Sequence, residues 1–509
     1  MNLQELFQPV SGARIFGDRE LPVTGLEYHS RRVSPGQVFF AIRGLEQDGN
    51  RFIPEALSRG AAAVVSESPP AEKPAAGPSA WIHVANVRRA LALTASRFYG
   101  HPSRQIKLAG ITGTNGKTTA AFVLASILEV AGWKPGLLGT IDYRLGFGKK
   151  TRRRTAPNTT PESLDLQKML REIADEGGRS TVMEVSSHAL ALERVTGCAF
   201  HAAVFTNFSR DHLDFHGDQE SYFAAKEKLF LASPEGEAPV FAVLNADDAR
   251  CSTLRSKTGS RVITYAVEAT ADVTVRKWAG SRERLEFTAA TPAGPVEVSS
   301  PLIGRHNVYN LLAAIAAAIT FEVSPESMAQ GILPVRVPGR MEAVDQGQPF
   351  RVFVDYAHTE DALRNVLSSA RELTTQGRVI LVFGCGGGRD RDKRPLMGVA
   401  AGASDWVVLT SDNPRSEDPI RILNDVIVGL QKVKTNYTVE PDRARAIELA
   451  LREARAGDTV LLAGKGHETC QIIQDQRLPF DDREVARRVL LGLGFNVEQA
   501  KSNGQSAGK

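Results

Sequence analysis

The sequence predicts an α/β protein: parallel sheets with helices packed on their faces, divided into more than one domain. Three observations carry this. In the middle of the chain, apolar strand-like runs at 107–112, 180–185, 202–206 and 240–245 alternate with helical segments, the pattern of repeated βα units. Beyond Pro338-Gly339 that rhythm restarts, with strands at 351–356, 379–384, 406–411 and 459–464, each followed by a loop and a helix; this predicts a second, Rossmann-like unit. Between a strand-like run at 106–111 and a helical run at 117–131 lies a glycine-rich turn, Gly110-Ile111-Thr112-Gly113-Thr114-Asn115-Gly116-Lys117-Thr118-Thr119. At 509 residues the chain is long enough for three or four domains of the usual ~150 residues, and its 42% hydrophobic content suffices for several cores.

The first region, 1–102, holds short strand-like pieces such as 37–42, an alanine-rich helix before Ala62-Ala63-Val64-Val65, and a Pro/Ala/Gly/Ser loop at 69–79 before a strand resumes at 81–84. A helix at 87–99 then leads to His101-Pro102-Ser103, read as a linker. The second region, 103–334, carries the alternating strands and helices, with an antiparallel insertion at 273–299, where apolar and polar residues alternate between turn glycines. The third region, 335–498, is the second α/β unit, and the polar tail 499–509 reads as disordered. No internal repeat is visible.

A glycine-rich turn that opens a helix offers backbone N–H groups and the positive end of the helix dipole to an anion. A lysine and a hydroxyl at its end suit the terminal phosphates and Mg²⁺ of a nucleotide. Strict phosphate-loop spacing puts glycine at 111, where this chain has Ile111, so what remains is the shorter Gly-Thr-Asn-Gly-Lys-Thr form at 113–118. A turn that merely joins strand to helix is the bland alternative; the context favours binding of ATP or a relative.

Other charged or glycine-rich clusters also fall at strand ends, where doubly wound sheets bind ligands. Their coincidence across two regions predicts one active site in a cleft between them. Glu184 ends a strand and precedes Ser186-Ser187-His188, and a carboxylate beside a phosphate loop suits Mg²⁺, a cation that prefers oxygen. Asp211, His212 and Asp214 follow the strand at 202–206 as ligand or base candidates. In Tyr222-Phe223-Ala224-Ala225-Lys226-Glu227-Lys228-Leu229-Phe230, helical spacing puts Lys226 on one face with Phe223 and Phe230 and turns Lys228 away. Lys226 reads either as a lysine lying over an apolar face or as a buried amine of lowered pKa that could take up CO₂ as a metal-binding carbamate. Side-chain chemistry alone favours the first.

These motifs, in order, resemble the Mur ligase family: 113–119, Glu184-Val185-Ser186-Ser187-His188, Asp211-His212-Leu213-Asp214, Ala224-Ala225-Lys226, Gly304-Arg305-His306-Asn307, Pro338-Gly339-Arg340-Met341-Glu342 and Asp355-Tyr356-Ala357-His358. The likeness covers roughly 20–498. It implies a three-domain architecture: an N-terminal domain for a uridine-nucleotide substrate (1–102), a central ATP-binding domain with a phosphate-loop ATPase sheet (103–334) and a C-terminal Rossmann-like amino-acid-binding domain (335–498). It also implies ATP-dependent amide formation in bacterial cell-wall synthesis.

The resemblance assigns roles as well. Gly113, Thr114, Asn115, Gly116, Lys117, Thr118 and Thr119 would bind ATP, with Lys117 neutralising its terminal phosphates. Thr118 and Glu184 would hold one Mg²⁺. His212 would hold a second, with Lys226 carbamylated (N6-carboxylysine) and acting as a ligand. Asn307 and Arg340 would lie near the nucleotide base and Asp355 would accept from the ribose. Leu26 and Ser30 would meet the uridine part of a UDP-muramoyl-dipeptide, and Asn158, Thr159, Thr160, Ser186 and Arg194 its muramoyl-dipeptide end. Two departures stand out: His29-Ser30-Arg31 replaces the frequent Asp-Ser-Arg, and Leu192 replaces a common glutamine, so one substrate hydrogen bond is in doubt. The implied reaction is phosphorylation of a carboxylate to an acyl phosphate, followed by attack of an amine.

The third region would choose that amine. Cys385-Gly386-Gly387-Gly388-Arg389-Asp390, Asp412-Asn413-Pro414-Arg415 and Gly464-Lys465-Gly466-His467-Glu468 follow three strands. Arg389 and Arg415 can fork onto carboxylates, while Glu468 and the Gly464 carbonyl can accept from an ammonium. Meso-2,6-diaminopimelate carries both groups at its far end; lysine carries only the ammonium, which Arg415 would repel. The Asp412, Asn413, Pro414, Arg415 run also resembles the diaminopimelate-adding members of the family. A lysine-adding enzyme, a folylpolyglutamate-synthase-like ligase and a regulatory protein without catalysis are the competing readings.

Composition narrows the remaining classes. A net charge of +4 gives no case for nucleic acid, and the basic run at 149–154 reads as a solvated loop or, beside an ATP loop, as a contact for an anionic substrate. Cys198, Cys251, Cys385 and Cys470 form no Cys-x-x-Cys pair, so reduced thiols are expected and no structural zinc. The first residues lack the basic start and apolar core of a signal peptide, and the longest apolar run, 311–321, is too short to span a bilayer. A cytoplasmic monomer is the expectation.

Overall fold

In a computed structural model of the chain, the described residues are 1–44, 47–69, 79–148, 151–232, 236–278 and 284–496. Most of the loop expected at 69–79, Lys149 and Lys150 of the basic run, and the tail lie outside them. The described strands form sheets of five, eleven, six and two strands.

The N-terminal sheet runs in the order Arg14–Gly17, Ala80–His83, Ala63–Ser66, Gln37–Phe40, Gly25–Glu27, with only the first strand antiparallel to its neighbour. Its helix Val87–Phe98 starts where the Asn86 side chain accepts from the Arg89 amide, a cap that satisfies an otherwise orphaned N–H. The expected linker is instead a short 3₁₀ turn, Pro102–Arg104, with Pro102 and Ser103 buried. Ser103 Oγ accepts from the Ala199 amide at 3.0 Å, so the junction is packed onto the central domain.

In the central sheet, seven strands from Val273–Trp278 through Lys107–Thr112 to Pro135–Leu138 run parallel. Hairpins extend both edges, including the antiparallel Leu285–Ala290 and Val296–Ser300 expected for the insertion. Lys107–Thr112 lies between Ala202–Phe205 and Ser180–Glu184. The chain winds to one side of it first and the other side later, which opens a crevice at its carboxyl end. The helices Lys117–Val130 and Arg305–Thr320 pack together over this sheet, and the alanines of the second, all buried or nearly so from 313 to 318, permit that close approach. Among the described residues no helix is long and apolar enough to cross a membrane.

The C-terminal sheet has the order Glu342–Ala343, Arg351–Asp355, Thr459–Ala463, Val379–Phe383, Trp406–Leu409, Asn436–Val439, parallel except for its first strand. One expectation fails in detail. Thr459–Ala463 leads not directly to a helix but to a hairpin, Cys470–Ile473 with Gln476–Pro479, before the helix Asp482–Gly492. That hairpin pairs back through Arg415, whose amide donates to Ile472 O at 3.0 Å, so it braces the loop beyond Trp406–Leu409.

Candidate active site

A cavity of about 1500 Å³ opens between the central and C-terminal sheets and takes its walls from both. Its floor is the glycine-rich turn. Gly113 and Gly116 have φ of 146° and 86°, backbone that L-residues rarely adopt. A Cβ at Gly113 would collide with Thr206 Oγ1, and one at Gly116 with Asn310 Oδ1. The turn is pinned from the neighbouring strand end: the Asn115 amide donates to Asn207 Oδ1 at 2.9 Å, and Thr206 Oγ1 donates to Asn115 O at 2.6 Å.

Lys117 folds back over the turn and donates to Gly113 O and Thr114 O, both at 2.8 Å. Burial lowers its pKa, opposed by Glu184 and Asp211. Thr118 Oγ1 donates to Glu184 Oε2 at 2.9 Å. The other Glu184 oxygen accepts the Thr140 amide at 2.8 Å, and Thr140 Oγ1 also reaches Oε2 at 3.1 Å. The Glu184 carboxylate with the Thr118 and Thr140 hydroxyls gives oxygen donors beside a phosphate loop, which Mg²⁺ prefers; that ion commonly takes one or two carboxylates plus phosphates and waters.

His212 sits in the left-handed region, φ 55°, with Nε2 3.3 Å from Asp211 Oδ2. Burial pushes its pKa down to about 2 despite the Asp211 charge, leaving a neutral imidazole able to offer a lone pair. Burial works against the Asp211 carboxylate, yet the Lys393 charge and the His212 amide, donating at 2.9 Å, hold its pKa below the usual range. Lys226 is 1% exposed. Its Nζ donates to Gly113 O at 2.7 Å and lies 4.5 Å from the centre of the Tyr222 ring. Burial, then the charge of Lys117, lowers its pKa well below the ordinary lysine value. Lys226 is therefore an enclosed amine and does not lie over a solvent-facing apolar surface.

On the opposite wall, Asp355 is 4% exposed and accepts the Met341 and Ala357 amides at 2.7 and 2.8 Å. Arg340 stacks 4.5 Å over Tyr356 and donates to Thr118 Oγ1 at 3.3 Å, so it reaches the phosphate-loop threonine. Asn307 donates to Ile303 O at 2.7 Å and accepts from Asn310 at 2.9 Å. Asn115 donates to Asp361 Oδ2 across the domain boundary at 2.8 Å.

The third group of loops closes the far end. Arg415, φ 52°, donates to Gly387 O at 2.6 Å. Burial, then the nearby charge of Arg389, lowers its pKa, opposed by Asp412 and Glu468, and both arginines line the cavity. Asp412, Asn413, Gly464 and Glu468 line the same cavity. Asn413 Nδ2 donates to Glu468 Oε2 at 2.8 Å.

Of the sequence candidates, the cavity collects Thr114, Asn115, Gly116, Lys117, Thr118, Thr119, Asn158, Thr159, Glu184, Ser186, Arg194, His212, Asn307, Arg340, Asp355, Arg389, Asp412, Asn413, Arg415, Gly464 and Glu468. Gly113, Thr160, Lys226 and Pro414 stand just behind the walls. Thr160 Oγ1 donates to Glu184 O at 2.9 Å, and Arg194 donates to Thr160 O at 3.1 Å. Leu26 and Ser30 do not line the cavity. Leu26 is 6% exposed within the N-terminal core, and Ser30 Oγ donates to Glu55 Oε2 at 2.6 Å.

Sequence reasoning passed over Thr140, Asn310, His358, Lys393 and Lys465. Thr140, His358 and Lys393 touch the site from elements that only folding brings near. Lys465 lay inside a quoted loop, yet nothing in one sequence marks a lysine as fully buried.

The family-level comparisons agree with this layout. Three family models match the chain: Mur ligase family, catalytic domain, over 22–99; Mur ligase middle domain over 111–318; and Mur ligase, glutamate ligase domain, over 339–466. The chain is 51% identical over 503 residues to a UDP-N-acetylmuramoyl-L-alanyl-D-glutamate--2,6-diaminopimelate ligase from Solibacter usitatus, covering 98% of this chain and 100% of that protein. It is 44% identical to the protein of the same description from Geobacter metallireducens, covering 95% and 97%. A solved structure of a ligase so described superposes with a TM-score of 0.67 at 32% identity, covering 97% of this chain and 99% of the other.

Proposed function

The chain belongs to the Mur ligase family, and from that premise we propose that it is an ATP-dependent ligase that joins meso-2,6-diaminopimelate to the D-glutamyl carboxylate of UDP-N-acetylmuramoyl-L-alanyl-D-glutamate. The observation that carries this is that one cavity holds both the phosphate loop around Lys117 and the Arg389/Arg415 pair. Energy source and nucleophile would meet there. The three larger sheets, one in each region, support the assignment of 1–102 to the uridine-nucleotide substrate, 103–334 to ATP and 335–498 to the amino acid.

A carboxylate is a poor electrophile. The glutamyl oxygen attacks the γ-phosphorus of ATP, the bond to the β-phosphate bridging oxygen breaks, and ADP leaves. Lys117 would turn its ammonium from Gly113 O and Thr114 O onto the transferring phosphoryl group, and Arg340, already against Thr118, adds positive charge there. The amine of diaminopimelate then attacks the acyl carbon, phosphate departs and the amine loses a proton. Phosphoryl transfer of this kind depends on positioning and charge more than on covalent help from the protein.

Thr118 and Glu184 would hold one Mg²⁺, and His212 with a carbamylated Lys226 a second. These ions supply charge neutralisation of the phosphates when bound. Lys226 fits this role only after its neutral amine has added CO₂ and released a proton, since the free ammonium is a donor. Ser186, Arg194, Asn158, Thr159 and Thr160 are assigned to the muramoyl-dipeptide end, and Leu26 and Ser30 to the uridine. The protein is assigned to the cytoplasm, where such nucleotide-linked precursors and ATP are available, and acts as a monomer.

Purified protein given ATP, Mg²⁺, the UDP-muramoyl-dipeptide and meso-diaminopimelate is expected to release phosphate in step with tripeptide formation. Lysine at equal concentration is expected to support far less. Equal use of lysine would replace this reading by a lysine-adding ligase, and phosphate release with neither would refute it.

A further inference from the structure

Lys465 is fully buried, and it has no place in the chemistry above. An ammonium has three N–H donors. Here all three have partners: Glu468 Oε2 at 2.9 Å, Asn413 Oδ1 at 3.2 Å and Cys470 O at 2.7 Å. The side chain thus ties the loop after Trp406–Leu409 to the loop after Thr459–Ala463 and to the start of the hairpin.

The consequence falls on Asp412. Its Oδ1 stands 3.7 Å from Lys465 Nζ, close enough to feel the charge and outside hydrogen-bond range. Asp412 is 8% exposed and lines the cavity; its Oδ1 is enclosed and has no hydrogen-bond partner among the described residues, so the oxygen that meets the cavity is Oδ2. An enclosed carboxylate oxygen without a donor is costly unless a cation stands beside it, and here that cation is Lys465. The charged groups around it are Lys465, Glu468, Arg415 and Arg443, the last paired with Asp482 at 2.6 Å. Burial pushes the Asp412 pKa up, and Lys465 pulls it back down.

We infer that Lys465 is a positioning residue for amino-acid selection: fixed on Glu468, Asn413 and Cys470, it compensates the enclosed Oδ1 of Asp412 and so holds that carboxylate with Oδ2 toward the cavity as an acceptor for an ammonium at the far end of the amino-acid substrate. This rests on the diaminopimelate reading above. Without the buried cation the enclosed Oδ1 of Asp412 is left uncompensated. The carboxyl then turns or takes up a proton, and the acceptor facing the cavity is lost.

The test compares meso-diaminopimelate with L-2-aminopimelate, which keeps the distal carboxylate and lacks the distal ammonium. Wild type is expected to prefer diaminopimelate in kcat/KM by at least about tenfold, because a site built to accept a substrate N–H rejects the analogue that lacks it. In Lys465→Met, and in the milder Lys465→Gln, that ratio is expected to fall to within about threefold of one, with the KM for ATP unchanged. A general structural lesion would lower both substrates alike and leave the ratio intact. An unchanged ratio in a folded variant overturns the inference, and so does a wild type that uses both substrates equally. A wild type that uses diaminopimelate not at all refutes the functional reading itself.

Discussion

Lys117 and Lys226 meet on one atom: both side-chain nitrogens donate to the carbonyl oxygen of Gly113, at 2.8 and 2.7 Å. Two buried ammonium groups on a single acceptor repel each other, so the more enclosed one is driven toward the neutral amine. That is Lys226, whose pKa is lowered first by burial and then by Lys117. A neutral amine is the form that adds CO₂, and the carbamate it becomes would turn a repulsion into an ion pair with Lys117.

Replacing Lys226 by Ala is therefore expected to leave a folded protein whose turnover falls by about a hundredfold or more, since a charged group at the phosphoryl site is lost. A short carboxylic acid at high concentration should restore part of it. Wild type supplied with ¹³C-bicarbonate should show a carbamate carbon resonance that the variant lacks. Its absence from fully active enzyme would rule out the modification.

Lys117→Ala should lower kcat by on the order of 10³-fold, because it removes the cation aimed at the transferring phosphoryl group. Initial-rate phosphate release measures this. Near wild-type turnover would exclude Lys117 from the chemistry.

At the far end of the cavity, Arg415→Ala should raise the KM for diaminopimelate by roughly one to three orders of magnitude, the range for leaving a desolvated charge unpaired at about 2–5 kcal/mol. The KM for ATP should barely move, since the phosphate loop belongs to the other wall. Unaltered use of diaminopimelate would remove Arg415 from amino-acid recognition.

Acid should destabilise the fold through its enclosed histidines. Burial lowers the pKa of His306, and of His358 with Lys393 adding to the effect, from 6.5 to about 4 in each case. Between those values the unfolded chain binds more protons than the folded one, so stability rises with pH. This contribution is complete above pH 6.5 and is lost progressively as pH falls toward 4. The thermal midpoint should therefore drop between pH 7 and pH 5, and less so in His306→Gln. A midpoint flat across that range, or an equal drop in the variant, would contradict the assignment to His306.

By itself the sequence determined the α/β class, the two zones of βα units, the antiparallel insertion and the phosphate loop, because each is written in local signals: apolar period, glycine spacing and the position of Lys117. Ordered motifs also pointed to Glu184, His212, Arg415 and Glu468. Local signals could not say that Lys226 is enclosed beneath Gly113, that Arg340 reaches Thr118, or that Lys465 is spent on three acceptors. Nor could they show that the strand Thr459–Ala463 leads into a hairpin that braces Arg415. Those facts depend on burial and on contacts between residues distant in the chain. Burial fixes whether an amine is charged, and the partners available fix which oxygen is left open; both are properties of packed neighbours, which only the tertiary structure assembles.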